Sequence, residues 1–140
     1  MKRIMLAALV ILLWLGSVAQ AGAQLIVIAN PNVRTNEITR NDLRDIFTGT
    51  VTTLPDGNRV IPVLLKPGTE YEEFLQIFIG KSDTEYRAGW RALVFAGKTN
   101  MPLRLEPDYA VVDFVAHHNG AIGYINENSP HLGVKVLTVK

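Results

Sequence analysis

The sequence predicts an α/β fold, a mixed sheet with helices on its faces. Two observations predict it. Continuous apolar, β-branched runs of strand length alternate with longer stretches whose apolar residues recur every three or four positions. The boundaries between them carry turn residues, caps or helix stops, so the pattern divides into discrete elements.

Leu25-Ile26-Val27-Ile28-Ala29 is the first apolar run, and it stops at Asn30-Pro31-Asn32 as a buried strand would. Thr39 then opens a helix, with Asp42 as its capping-box partner. Leu43, Ile46 and Phe47 share one face of that helix, and Gly49 suits its C-terminal stop. Pro55-Asp56-Gly57-Asn58 reads as a turn leading into a strand from Arg59 to Leu65. Pro62 cannot donate to a ladder, so this strand is expected at an edge or a bulge.

After Lys66-Pro67-Gly68-Thr69 comes a helix with Tyr71, Phe74, Leu75, Phe78 and Ile79 in a full apolar stripe. Ser82 and Glu85 form the next capping box, opening a helix with Tyr86, Trp90, Leu93 and Val94 on one side. A loop with Pro102 and Pro107 precedes a further helix, in which Val111, Phe114 and Val115 face inward and Gly120 marks the end. Short strands are expected at Ala121 to Ile125 and Val134 to Val139. The expected order is thus β-α-β-α-α-α-β-β.

The first 23 residues stand apart from this pattern. Lys2 and Arg3 precede an unbroken apolar run of 12 residues, Ile4 to Leu15. A membrane span needs roughly 20. Ala19-Gln20-Ala21 and Ala21-Gly22-Ala23 both fit a small-x-small cleavage site, so residues 1–23 read as a signal peptide and residues 24–140 as one domain. Removing Lys2 and Arg3 leaves 12 basic against 13 acidic residues, moving the formal charge from +1 to −1. A chain so near neutrality has no electrostatic footprint for nucleic acid or an anionic membrane surface. With no cysteine, the exported domain owes nothing to disulfides and carries no lipid-modified cysteine. A periplasmic location is expected, with no membrane insertion after cleavage.

The turn before the second helix is the best candidate for function. A glycine turn that opens a helix aims free backbone N–H groups outward, where an oxyanion can dock. Gly68 permits close approach, Thr69 offers a hydroxyl and Lys66 supplies charge. The same residues also fit a plain cap, in which Thr69 accepts from the N–H of Glu72 and the Glu72 carboxylate reaches back. Glu70 and Glu73 add negative charge within a turn, favourable to the helix dipole but repulsive to phosphate.

Other candidates carry less. His117 and His118 are adjacent on a helix, point about 100° apart and cannot chelate together. With only His131 besides, they fall short of a zinc ligand set, so no metal or cofactor is expected. There is no cysteine nucleophile and no G-x-S-x-G elbow. Asp42 and Asp45, interleaved with Arg40 and Arg44, read as a solvated helix face. The chain is not expected to be an enzyme.

Three stretches, taken in order, resemble the periplasmic phosphate-binding proteins of ABC phosphate importers. Ile38-Thr39-x-x-Asp42-Leu43-x-x-Ile46-Phe47-Thr48-Gly49 is similar to their "LT…L…IF.G" segment. Pro67-Gly68-Thr69 followed by Phe74 resembles their Ser-Gly-Thr turn and helix, which holds phosphate through N–H groups and hydroxyls. Val112 to Tyr124, ending Gly120-Ala121-Ile122-Gly123-Tyr124, is similar to their "V…pGaIGY" ending. The resemblance implies a three-layer α/β/α fold like one lobe of a type 2 periplasmic binding protein. It implies that phosphate or a related oxyanion binds at Lys66, Gly68 and Thr69, in association with an ABC permease. Family members close two lobes on the anion, so another copy in a homodimer, or an envelope partner, would supply the second. Two departures point to a different role, a non-transport interaction module with a degenerate anion site. Pro67 replaces the family's serine, and the family's clamping arginine has no equivalent in Val63-Leu64-Leu65.

Overall fold

The computed structural model describes residues 24–140, so the expected signal peptide at residues 1–23 lies outside the described residues. In chain order the elements are β1 (Leu25–Ala29), β2 (Glu37–Ile38), α1 (Arg40–Phe47), β3 (Ile61–Leu65) and α2 (Thr69–Phe74). Then come a π-helical turn (Leu75–Ile79), α3 (Asp83–Phe95), β4 (Leu103–Leu105), α4 (Asp108–His117), β5 (Ala121–Asn126) and β6 (Lys135–Val139). The strands form one sheet in the order β2-β6-β1-β5-β3-β4. It is mixed. β1 runs antiparallel to both β5 and β6, whereas β3 is parallel to β5 and β4, and β2 to β6.

Alternation along β5 creates the three layers. Gly123 faces α4, where a Cβ would come within 2.8 Å of Val111 and 3.5 Å of Val115. The next residue, Tyr124, faces the other way and stacks on Phe74 of α2, with ring centroids 3.9 Å apart. Phe47 of α1 meets Phe74 edge-on at 4.8 Å. Leu43, Phe47, Phe74 and Tyr124 are fully buried and form the middle of this second face. The Tyr124 hydroxyl accepts from the N–H of Leu65, tying the core to the end of β3.

Thr39 caps α1 as expected, accepting from the N–H of Asp42 at 3.1 Å, and Ser82 likewise caps α3 through Glu85. α3 hangs on its inner edge. The Tyr86 hydroxyl and the Trp90 indole both donate to the carbonyl of Phe47, satisfying a group that the end of α1 leaves open. Val94, expected inside, is exposed, and Leu93 is half-buried. On the opposite side of the sheet, buried Asn30 donates to the carbonyl of Val115 at 2.9 Å and fixes the end of β1 to α4. α4 ends at His117 rather than Gly120. Each of His117 and His118 pairs its Nδ1 with the carbonyl four residues back, an end-of-helix role.

Three further expectations are corrected. Two short strands, β2 and β4, lie in stretches that carry no strand pattern, β4 in the loop between Pro102 and Pro107. β3 is an interior strand, yet it tolerates Pro62. The N–H of Ile61 points to β5, bonding Gly120, so position 62 points to β4, whose pairing begins only at Val63. The apolar stripe after Thr69 is buried as expected, but it completes in a π turn in which Gly80 donates to the carbonyl of Leu75. No described helix is long and apolar enough to cross a membrane.

Candidate functional site

Parallel pairing brings the C-terminal ends of β3, β4 and β5 to one edge of the sheet. Crevices outside strand ends of this kind are where ligands bind in open α/β sheets. From β3 the chain turns through Lys66, Pro67 and Gly68 into α2. From β4 it turns through Glu106 and Pro107 into α4. Both helix N-termini therefore face this edge, with the positive ends of their dipoles outward.

The cap expected at Thr69 is not formed. Gly68 is the N-cap, Thr69 is the first helical residue, and no side chain caps the helix. The first helical bond runs from the N–H of Glu72 to the carbonyl of Gly68 at 3.0 Å. The N–H groups of Thr69, Glu70 and Tyr71 then have no partner among the described hydrogen bonds. The physical reason lies in the register: a helix starting one residue earlier places Glu72 beyond reach of a reciprocal box. Gly68 and Thr69 are exposed, and a Cβ on Gly68 would meet only the Lys66 carbonyl at 3.9 Å.

Lys66 is also exposed, but its ammonium pairs with Glu106 at 3.2 Å. Such a surface pair contributes about 0–1 kcal/mol and is easily exchanged. The sequence shows no arginine next to the turn. The fold supplies one from the neighbouring strand, because Arg104 lies opposite Leu64 in the β3–β4 register. Its guanidinium donates to the Leu65 carbonyl at 3.3 Å and to the Tyr71 hydroxyl at 3.2 Å, and lies 4.5 Å from the centre of the Tyr71 ring. Arg104 therefore positions the start of α2 and is not left open toward the edge. Tyr71 passes its own proton bond to Asp83 at 2.7 Å, which Arg87 also contacts at 2.8 Å. Those two bonds hold the Asp83 carboxyl below its usual range, while burial raises the Tyr71 hydroxyl.

A second group that sequence spacing hides is a carboxyl pair. Glu70, in the first turn of α2, lies close enough to Asp108, the first residue of α4, for the two carboxyls to interact. Asp108 in turn accepts from the N–H of Asn126 at 2.9 Å and from the Ser129 hydroxyl at 2.6 Å. Burial, the Asp108 carboxyl and the Glu73 charge push Glu70 up from 4.5 to about 7. Stability tied to this group is fully present below pH 4.5 and is lost as pH rises through 7. Glu70→Gln is accordingly expected to melt about 2–4 °C above the parent protein at pH 8. At pH 4 the two should melt together. Parallel curves in a thermal-melt series across this range would contradict the raised Glu70 carboxyl.

No family model matches the chain, and no curated protein matches it. Solved structures do. One, assigned as a phosphate ABC transporter substrate-binding protein from Clostridium perfringens and solved with bound phosphate, aligns with a TM-score of 0.66 at 19% identity, covering 82% of this chain and 44% of that one. An ABC-type phosphate transport receptor from Vibrio cholerae aligns at 0.65 and 18% identity, covering 82% and 45%. PstS from Borrelia burgdorferi aligns at 0.65 and 18% identity, covering 83% and 47%. The described residues therefore have the fold of one lobe of a periplasmic substrate-binding protein of the phosphate-binding kind. The chain spans less than half the length of these structures.

Proposed function

We propose that the chain binds phosphate or a related oxyanion at Lys66, Gly68 and Thr69, as an exported, non-catalytic, substrate-binding-like domain of the periplasm associated with ABC-type phosphate transport. The observation that carries this reading is the uncapped start of α2, whose free N–H groups sit at the strand ends beside Lys66. Dipole and donors together favour an anion there. The fold neighbours add support, since the Clostridium protein was solved with phosphate.

An open edge leaves the anion in contact with water, where each charge-assisted bond is weak. A second lobe, from another copy of the chain or from an envelope partner, would exclude that water. Binding by the isolated protein is therefore expected in the millimolar range, equivalent to about 4 kcal/mol. Calorimetry with inorganic phosphate tests this. Gly68→Leu has room for its side chain and covers the donors, so it should weaken binding about tenfold or more. Glu106→Gln releases Lys66 and should strengthen binding about two- to fivefold, with little effect on stability. Absence of heat in all three proteins would sink the reading.

A second reading has its own observation. Glu70, Glu106 and Asp108 crowd the edge, and Lys66 already has a carboxylate partner. That arrangement supports an interaction module whose anion site is degenerate. It predicts silent calorimetry, together with retention of a specific partner from envelope extract that Gly68→Leu leaves unaffected.

A further inference from the structure

We infer that the chain carries a second binding site, for a small hydroxylated anion such as a sugar acid or sugar phosphate, in the cleft between α1 and α3. The cleft holds about 440 Å³, within the range usual for small-molecule sites, roughly 300–1,000 Å³. None of Lys66, Gly68 and Thr69 lines it. One wall is formed by Asn41, Arg44 and Asp45 of α1 with Thr50 beyond it, and the other by Lys81 and Gly89. Tyr86 and Trp90 close the floor, and their polar atoms are already spent on the Phe47 carbonyl.

Two cations line the cleft, Arg44 in the last turn of α1 and Lys81 just before α3. Arg44 and Lys81 make no ion pair among the described residues, and Lys81 is half-buried. A partly desolvated cation without a partner is stabilised by an incoming anion. Lys81 immediately precedes Ser82, the N-cap of α3, so it stands at the positive end of that helix. Arg40 donates to the Ile77 carbonyl at 2.7 Å and holds the start of α1 beside the segment leading to Lys81. The positive ends of both helices thus lie toward the Lys81 side.

The same cleft offers acceptors and hydroxyls. Asp45 is the only carboxylate lining the cleft among the described residues. The Thr48 hydroxyl donates to the Arg44 carbonyl at 2.8 Å and lies 3.0 Å from the Thr50 hydroxyl. A carboxylate and a hydroxyl pair suit ligand hydroxyl groups, which a bare oxyanion lacks. Gly89 supplies an independent argument. Glycine inside a helix is unfavourable relative to alanine. Here a Cβ would meet nothing within 4 Å, so packing gives no reason for it. What the glycine does is keep the cleft wall open.

The test is an amide NMR titration with glucuronate and with glucose 6-phosphate, using glucose and inorganic phosphate as comparators. Saturable millimolar shifts at Thr50, Lys81 and Gly89 are expected with at least one of the two anionic sugars. Which of them binds assigns the anionic group as carboxylate or phosphate. At these three amides glucose and inorganic phosphate should each act about tenfold more weakly or worse. Gly89→Leu should abolish the shifts, and Gly89→Ala should raise the melting temperature by about 2–4 °C. Should Gly89→Leu fail to fold, the Arg44→Ala/Lys81→Ala double variant carries the test, with the same expected loss. No saturable shift up to about 20 mM of either anionic sugar, weaker than nearly all specific sites, would overturn the proposal. An equal response to glucose, or to inorganic phosphate, would overturn it too.

Discussion

Gly120→Ala is expected to leave little or no folded protein. Gly120 sits between α4 and β5 with a φ of +78°, where an L side chain costs about 1–2 kcal/mol. Sterics add far more. A Cβ would lie 2.0 Å from the carbonyl oxygen of Arg59 and 3.2 Å from its carbon. Both neighbours are backbone, so no rotamer change relieves the clash. Moving them would break the bond from the Ile61 N–H to the Gly120 carbonyl, 2.9 Å, which starts the parallel pairing of β3 with β5. Strain and lost pairing together should exceed about 4 kcal/mol, a large part of a typical domain's 5–15. Thermal unfolding followed by circular dichroism should show no cooperative transition, or one lowered by about 15 °C or more. Gly57→Ala is the control. Its φ of +86° is similar but a Cβ there meets nothing within 4 Å, so it should cost only about 1–2 kcal/mol.

Phe74→Ala is expected to cost about 3–5 kcal/mol, the range for emptying a buried aromatic site. Phe74 is fully buried between Tyr124, stacked at 3.9 Å, and Phe47, edge-on at 4.8 Å. It is the piece through which α2 rests on both β5 and α1, so the cavity would also loosen the helix that presents Gly68 and Thr69. Tyr124→Phe separates packing from hydrogen bonding at the same place. The ring stays, but the buried N–H of Leu65 loses its acceptor, at a cost of about 1–3 kcal/mol. Denaturant titrations should rank the two in that order. Phe74→Ala at or below Tyr124→Phe would mean that the aromatic block is not the core of this face.

Much of this arrangement was legible in the residues because it is local. The caps at Thr39 and Ser82, the buried faces of α1 and α2, the turn at Pro55 to Asn58 and the strands at Leu25, Ala121 and Lys135 all follow from period and cap chemistry. β2 and β4 were not legible. A strand of two or three residues has no measurable alternation, and each exists only because a neighbouring strand offers it partners. Pro62 misled for the same reason, since whether a missing N–H matters depends on which neighbour it would face. At the site, Lys66, Gly68 and Thr69 come together because they are contiguous. Arg104, Glu106 and Asp108 lie roughly 40 residues away and arrive only through the β3–β4 register, which no spacing reveals. The cap at Thr69 failed by a single residue of helix register, and that one residue decides whether the N–H groups are spent or free.

Those free donors, pointing out at the strand ends of a lobe built like those of phosphate-binding proteins, are the centre of the account. Amide NMR during titration with inorganic phosphate tests them most directly, because it reads each N–H by itself. Saturable downfield shifts concentrated at Thr69, Glu70 and Tyr71, reaching half-saturation in the millimolar range and absent in Gly68→Leu, are the expected result. Amides at the start of α2 that stay unmoved up to about 20 mM phosphate, a concentration at which even a 4 kcal/mol site is mostly filled, would contradict it.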